Sequence, residues 1–191
     1  MKRACAAALI ILLLTPCFAL AAEGEADTPE RAKLGEFVPA SPPFPAPATT
    51  LSDADGKSID LSDLKGKPVI VNLWATWCEP CLREMPSLER LRLRLGDRIE
   101  VLAVSEDRGG SKIVEPFISK LGLKAVKVYL DPKSEVGHAF AVRGLPTSIV
   151  IDRDGKVVGR VEGGAEWDSP KILAVLEPLL DGDGVVKASS R

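Results

Sequence analysis

The feature that most constrains the fold of this chain is an apolar run followed closely by a Cys-x-x-Cys motif. Residues 69–74, Val-Ile-Val-Asn-Leu-Trp, are mostly apolar and β-branched, which is typical of a buried central strand. Cys78-Glu79-Pro80-Cys81 then opens a predicted helix, because proline suits a first helical turn, where its missing N–H costs no hydrogen bond. Cys78 is therefore expected at a helix N-terminus, where the helix dipole and free N–H groups stabilise a thiolate. Cys81, one turn further on, is close enough to close a disulfide with it.

The cysteine count favours redox chemistry for this pair. The chain has four cysteines in 191 residues, and Cys5 and Cys17 fall in an N-terminal segment that is expected to be lost. A bridge between Cys78 and Cys81 closes so short a loop that it removes little entropy from the unfolded chain, so stability is a poor reason for it. In the redox hypothesis Cys78 is the nucleophile, and Cys81 resolves the mixed disulfide that Cys78 forms with a substrate.

Two alternatives to redox chemistry are a metal site and inert core thiols. Zinc takes about four ligands, whereas the chain after its N-terminal segment offers two cysteines and one histidine, His138. Leu82 follows the motif, so the Cys-x-x-Cys-His pattern of haem attachment is not met. We therefore predict no metal and no cofactor beyond the redox-active disulfide. A copper-binding, metal-delivery protein is the alternative from another functional class.

Residues 1–22 are typical of a targeting segment. Lys2 and Arg3 precede a nearly unbroken apolar stretch over 4–14, and residues 19–21, Ala-Leu-Ala, form a small-x-small cleavage site. The interpretation is export with cleavage of a signal peptide. A retained N-terminal membrane anchor is the alternative, because the apolar run can be extended to about 19 residues.

The rest of the chain divides by composition into three parts. Residues 23–48 are rich in proline and alanine, with five prolines between positions 39 and 47, which predicts an extended linker. The alternative is a proline-rich strand at the edge of the folded domain. Residues 49–181 are predicted to form that domain, and residues 182–191 a disordered tail.

Strand and helix patterns alternate within the predicted domain, which indicates the α/β class. A hairpin with an Asp-Gly turn comes first, and Met85, Leu88, Leu91 and Leu95 give the helix after the cysteines one buried stripe. The later elements are predicted as strands over 99–105, 126–130, 147–151 and 157–161 and helices over 112–121, 135–140 and 169–180.

Several motifs resemble one known family. Residues 77–81, Trp-Cys-Glu-Pro-Cys, resemble the active-site motif of the thioredoxin fold, and Glu84-Met85-Pro86 resembles the TlpA/ResA branch of periplasmic and membrane-tethered thioredoxins. Residues 144–147, Gly-Leu-Pro-Thr, are similar to the cis-proline loop of the family, and residues 165–170 are also TlpA-like. The resemblance implies a thioredoxin fold, with a central mixed sheet flanked by helices and an N-terminal hairpin extension. It also implies thiol:disulfide oxidoreductase activity.

The resemblance implies a role for one carboxylate. Glu84 stands where ResA-like proteins carry an active-site carboxylate, and there it would exchange a proton with Cys81. The alternative is a solvated charge on the helix surface. Asn72 occupies the strand position of a buried aspartate in thioredoxin, and asparagine cannot titrate.

A second group of residues is predicted to contact the substrate. The Leu145–Pro146 bond is expected to be cis, because a turn-forming X-Pro before a strand is a common site for that isomer. The resemblance implies that this loop faces the dithiol, so that Leu145 and Pro146 bind an extended substrate segment. Trp77 is predicted to form an apolar platform beside Cys78.

Charge indicates the direction of the reaction and excludes one class of partner. Glu79 and Pro80 separate the cysteines and are assigned to redox tuning: a carboxylate beside the thiolate raises the thiol pKa, which makes the dithiol a better reductant. A disulfide-forming oxidase is the alternative. The resemblance implies clients that later receive haem or copper in the periplasm, and such a reductant needs resupply by a membrane thiol-transfer protein of the DsbD/CcdA type. A net charge of −2 without a basic stripe argues against nucleic acid as a partner.

Overall fold

The fold is known from a computed structural model that describes residues 35–181. The predicted targeting segment, Cys5, Cys17 and the predicted tail lie outside the described residues. Over residues 35–181 we find no helix that is both long and apolar enough to span a bilayer. The strands in this part of the chain are β1 Phe37–Pro45, β2 Thr50–Ser52, β3 Ser58–Asp60, β4 Val69–Trp74, β5 Glu100–Ser105, β6 Lys127–Leu130, β7 Thr147–Ile151 and β8 Lys156–Glu162. The α-helices are α1 Glu79–Leu95, α2 Ser111–Leu121, α3 Glu135–Ala139 and α4 Pro170–Asp181.

The strands form one mixed sheet in the order β1-β8-β7-β4-β5-β6-β2-β3. Strand β4 runs parallel to β5 and antiparallel to β7, and β5 is parallel to β6. Every residue of β4 is buried, as its continuous apolar sequence predicts for a strand covered on both faces. The predicted α/β class with a central mixed sheet is confirmed.

The alternation of side chains along β4 divides the core between the two faces of the sheet. Ile70 and Trp74 belong to a cluster that includes residues of α1, α2 and α4. Val71 and Leu73 belong to a second cluster, which includes residues of α3. The predicted stripe of α1 lies in the first cluster, with Met85, Leu88 and Leu91 fully buried and Leu95 partly buried. Helix α1 is thereby held against the sheet beside the C-terminal end of β4.

The predicted linker over 23–48 is wrong for residues 37–45, which form strand β1. This strand pairs antiparallel with β8, with an irregularity between Pro39 and Phe44. Prolines are tolerated here because an edge strand leaves one side of its backbone unpaired. Gly159 of β8 allows the close approach, since a Cβ there would lie 2.2 Å from Phe37 Cζ. The alternative, a proline-rich edge strand, describes these residues correctly.

The predicted hairpin is confirmed as β2 and β3, but it is not the N-terminal element of the domain. Asp53 Oδ1 accepts hydrogen bonds from the backbone N–H groups of Asp55 and Lys57, and Gly56 has a φ of 79° in the turn. Strand β1 precedes the hairpin and lies at the opposite edge of the sheet. Pairing with β8 therefore makes residues 37–45 part of the folded domain.

Candidate active site

The dithiol lies where β4 passes into α1. Cys78 is the N-cap residue of α1 and Pro80 lies in the first helical turn, as predicted. The N–H of Cys78 donates to the carbonyl of Ala75 at 3.1 Å, which closes the turn after the strand. Cys78 and Cys81 form a disulfide with an S–S distance of 2.01 Å. Cys78 retains 5% exposure whereas Cys81 is fully buried, so Cys78 is the more accessible cysteine of the pair.

Two of the three predicted substrate-binding residues, Trp77 and Leu145, share one cleft. Trp77 is 71% exposed, which suits an apolar platform and not a core side chain. The Leu145–Pro146 bond is cis, as predicted. Leu145 and Trp77 line the same cleft, which has a volume of about 510 Å³.

Glu84 is buried in the domain and is not a surface charge. Glu84 is only 3% exposed, and three groups donate hydrogen bonds to its carboxyl oxygens. Asn72 Nδ2 donates to Oε1 at 2.7 Å, while the Ala165 N–H and Trp167 Nε1 donate to Oε2 at 3.0 and 3.2 Å. Burial outweighs these hydrogen bonds and raises the pKa of Glu84 to about 7. The surface alternative for this residue is therefore wrong.

Glu84 lies three residues after Cys81 on the same helix. Side chains at this spacing are neighbours on one helix face, and both residues are buried. A carboxyl group with a pKa of about 7 can take up or release a proton near neutral pH. The arrangement can therefore serve proton transfer to and from the buried thiol.

A salt-bridged segment, residues 165–168, places Trp167 next to Glu84. Sequence reasoning left Trp167 without a role. Arg90 of α1 bonds to Asp168 through Nε at 2.6 Å and also pairs with Glu166. The Trp167 N–H donates to Ser87 Oγ at 3.0 Å. These contacts fix the segment 165–168 on α1. The TlpA-like character of residues 165–170 was the available signal, but it does not reveal that Trp167 contacts a carboxylate 83 residues away.

Sequence reasoning also missed Asp107, which holds the turn before the cysteines. Asp107 is buried, and its Oδ2 accepts hydrogen bonds from the Thr76 N–H and Ser105 Oγ, both at 2.8 Å. Its Oδ1 accepts a third hydrogen bond from Thr76 Oγ1 at 2.7 Å. Asp107 follows β5, which is parallel to β4, so both strands deliver their next residues to the same edge of the sheet. An acidic residue after a strand was the signal for it.

Glu79 is exposed and ion-paired, so we expect it to act on the thiols more weakly than its position predicts. Its side chain is 82% exposed and pairs with Arg83 at 2.6 Å, one helical turn further on. Solvent screens the carboxylate and the guanidinium offsets its charge, so little of its field reaches Cys78.

The described residues offer no arrangement typical of a metal centre. Between residues 35 and 181 no group of three or more His, Cys, Asp or Glu side chains is placed to hold an ion. His138 is exposed on α3, where it lines the cleft beside Trp77.

The Redoxin family matches residues 42–176, which covers most of the chain and the whole of this site. The chain belongs to the Redoxin family. The thiol-disulfide oxidoreductase ResA of Bacillus thuringiensis (strain Al Hakam) is 40% identical over 119 residues, which is 62% of this chain and 68% of the relative. ResA of Bacillus subtilis (strain 168) is 42% identical over 120 residues, 62% of this chain and 65% of the relative. This Redoxin-family chain is a thiol-disulfide oxidoreductase of the ResA-like, thioredoxin-fold type.

Solved structures show the same fold. The pneumococcal exposed lipoprotein thioredoxin Etrx1 of Streptococcus pneumoniae is 33% identical with a TM-score of 0.61, over 69% of this chain and 99% of that one. The thiol:disulfide interchange protein DsbE of Chlorobium tepidum is 28% identical with a TM-score of 0.66, over 72% of this chain and 96% of that one. The Redoxin-family domain of this protein thus matches nearly the full length of both thioredoxin-like structures.

Proposed function

We propose that this protein works as a reductant of disulfides in client proteins of the periplasm. The observation that carries the proposal is the buried Glu84 carboxyl, one helical turn after Cys81. The named activity of its ResA relatives supports the dithiol chemistry. The direction, the compartment and the clients are parts of the proposal.

The reaction needs two disulfide exchanges. In the first, the Cys78 thiolate attacks one sulfur of the client disulfide. A Cys78–client bond forms and the other client sulfur leaves as a thiolate, which takes a proton from water. In the second, Glu84 accepts the Cys81 proton, and the resulting thiolate attacks Cys78 Sγ. The Cys78–Cys81 disulfide forms and the second client sulfur leaves as a thiolate, which takes a proton from water. The client is then a dithiol, and two electrons have passed from the protein to the client.

Glu84 also favours the reducing direction. An ionised carboxylate close to two buried sulfurs opposes a second negative charge there and raises the thiol pKa values. A thiolate that is less stabilised makes the reduced form less stable, which lowers the reduction potential. This argument replaces the one from Glu79, whose charge Arg83 offsets.

A reductant needs client proteins to reduce and a source of electrons that reduces its own disulfide again. We propose cysteine pairs of proteins that later receive haem or copper as clients. A membrane thiol-transfer protein of the DsbD/CcdA type would return electrons to the Cys78–Cys81 disulfide. The N-terminal segment would deliver the protein to the periplasm, either released by cleavage or attached as a membrane anchor.

The reduction potential of the Cys78–Cys81 couple tests the proposal. We expect a value near or below about −220 mV, towards that of thioredoxin. Glu84→Gln should raise the potential, whereas the matched change Glu79→Gln at the screened site should alter it less. A potential near about −120 mV, as in DsbA, would make the protein an oxidase and overturn the proposal.

A further inference from the structure

The cleft beside Trp77 is not explained by dithiol chemistry alone. It lies between the loop after β5, the segment that leads into α3 and the cis-proline loop. Trp77, Val142 and Leu145 supply its apolar surface. Its volume of about 510 Å³ is within the range of pockets that hold ligands. Because Trp77 and Leu145 immediately precede Cys78 and Pro146, we expect a client chain bound to Cys78 to pass next to this cleft.

The rim of the cleft is cationic. Arg108, Lys133 and Arg143 line it and all three are exposed. Lys133 forms an ion pair with Glu135 at 3.8 Å. Within residues 35–181 neither Arg108 nor Arg143 has an acidic side chain in ion-pair range, although most other arginines of this part of the chain do.

One acid opposes these cations on the lining. Glu106 is partly buried, and the Ser134 side chain lies near its carboxylate. Burial raises the pKa of Glu106, and Asp131 adds to this while His138 acts against it. With Lys133 paired to Glu135 and Glu106 ionised, Arg108 and Arg143 leave the lining one charge positive when His138 is neutral.

The positive charge is local to the cleft. The chain as a whole has a net charge of −2, so a basic surface is not its general property. Two of the cations, Arg108 and Arg143, also lie next to parts of the active site. Arg108 follows Asp107, which bonds to Thr76, and Arg143 precedes the cis-proline loop.

We propose that this cleft binds an acidic segment of the client, adjacent in sequence to the cysteine that Cys78 attacks. The inference rests on the proposed reductant function and adds the class of substrate. The apolar floor takes the aliphatic parts of the segment, and its carboxylates pair with Arg108, Arg143 and Lys133. Charge complementarity of this kind mainly raises the rate of encounter and selects among partners.

The test uses three synthetic peptides, each with one internal Cys-Gly-Ser-Cys disulfide flanked on both sides by three Glu, three Gln or three Lys residues. Fully reduced protein is mixed with each peptide, and acid quenching with alkylation of free thiols gives the second-order rate constant. In each reaction the peptide disulfide is reduced to two thiols as Cys78 and Cys81 are oxidised. No other reductant is needed.

We expect the Glu peptide to react about tenfold faster than the Gln peptide in low salt, and the Lys peptide to react more slowly than either. About 0.5 M NaCl should reduce the Glu preference to about twofold, because exposed charges are screened. The double variant Arg108→Gln/Arg143→Gln should lose the preference and keep the rate with the Gln peptide. Arg94→Gln/Lys120→Gln is the matched control, because it also removes two positive charges. Both residues are exposed and pair with no acid within residues 35–181; Arg94 lies about 22 Å along α1 from the cysteines, and Lys120 is in the last turn of α2.

The outcomes separate this inference from the function on which it rests. Equal rates for the Glu and Gln peptides in low salt would overturn the acidic-segment site and leave the reductant function standing. A preference that Arg94→Gln/Lys120→Gln removes as fully as Arg108→Gln/Arg143→Gln would also overturn the site, since the effect would then come from net charge. Failure to reduce any of the peptides would overturn the reductant function itself.

Discussion

Glu84→Gln should make the folded protein more stable above neutral pH. Glu84 titrates at about 7 in the folded protein and at 4.5 as an ordinary glutamate. Between these values the folded chain holds a proton that the unfolded chain has lost, so the free energy of unfolding falls as pH rises. The difference of about 2.5 between the folded and unfolded pKa values corresponds to about 3 kcal/mol in the free energy of unfolding. The protein has lost all of this stabilisation once the pH is above 7.

Glutamine should remove this cost without leaving a void. Its amide oxygen can still accept from Ala165 and Trp167. Asn72 Oδ1 is buried and has no hydrogen-bond partner among the described residues, so a turned Asn72 amide can accept from the new NH₂ group. The side chain keeps its volume and its neighbours.

Urea unfolding of the oxidised protein between pH 4.5 and 8 measures the effect. The stability of Glu84→Gln relative to the wild type should increase by about 3 kcal/mol across that range, mostly below pH 7. Glu115→Gln is the control, because Glu115 is exposed on α2. Parallel curves for the wild type and Glu84→Gln would show that Glu84 ionises as an ordinary carboxylate and refute the reasoning.

Three further predictions concern the site and its supports. Cys81→Ser should accumulate a mixed disulfide with a client on non-reducing gels, whereas Cys78→Ser should trap nothing; equal trapping by both would reverse the assigned roles. Asp107→Ala should lower the free energy of unfolding by about 3 kcal/mol, because it leaves the buried Thr76 N–H without an acceptor; a loss no greater than that of an exposed aspartate would contradict this. Glu89→Gln should accelerate hydrogen exchange of the 124–126 amides, since the Glu89 carboxylate accepts from all three; unchanged exchange would exclude that support.

Elements with a strong local signal were predicted correctly. The apolar run of β4, the stripe of α1, the Asp-Gly hairpin and the cis bond before Pro146 all match the structure. Each of these depends on a short stretch of sequence in which side-chain type and backbone preference agree. The placement of Cys78 at the start of α1 follows from the same kind of local agreement.

The errors arose where partners distant in sequence decide the outcome. Strand β1 was predicted as a linker because its prolines favour extended chain, and only pairing with β8, more than 100 residues later, makes it part of the sheet. Helical periodicity places Glu84 on the same face of α1 as Leu88 and Leu91, but it does not reveal whether a glutamate at that position is covered or extends into solvent. Its cover comes from Asn72 on β4 and from the segment 165–168.

The sequence by itself determined the reactive pair and its setting: a buried strand, a tight turn and two cysteines on the first turn of a helix. These features follow from side-chain types within about 15 residues. The tertiary structure alone decided that Glu84 is a buried acid that titrates near neutral pH and that Asp107 holds the turn before Cys78. It also placed Arg108 and Arg143 around one cleft. Burial and charge proximity are properties of packed neighbours, and no local pattern in the chain records which distant residues those will be.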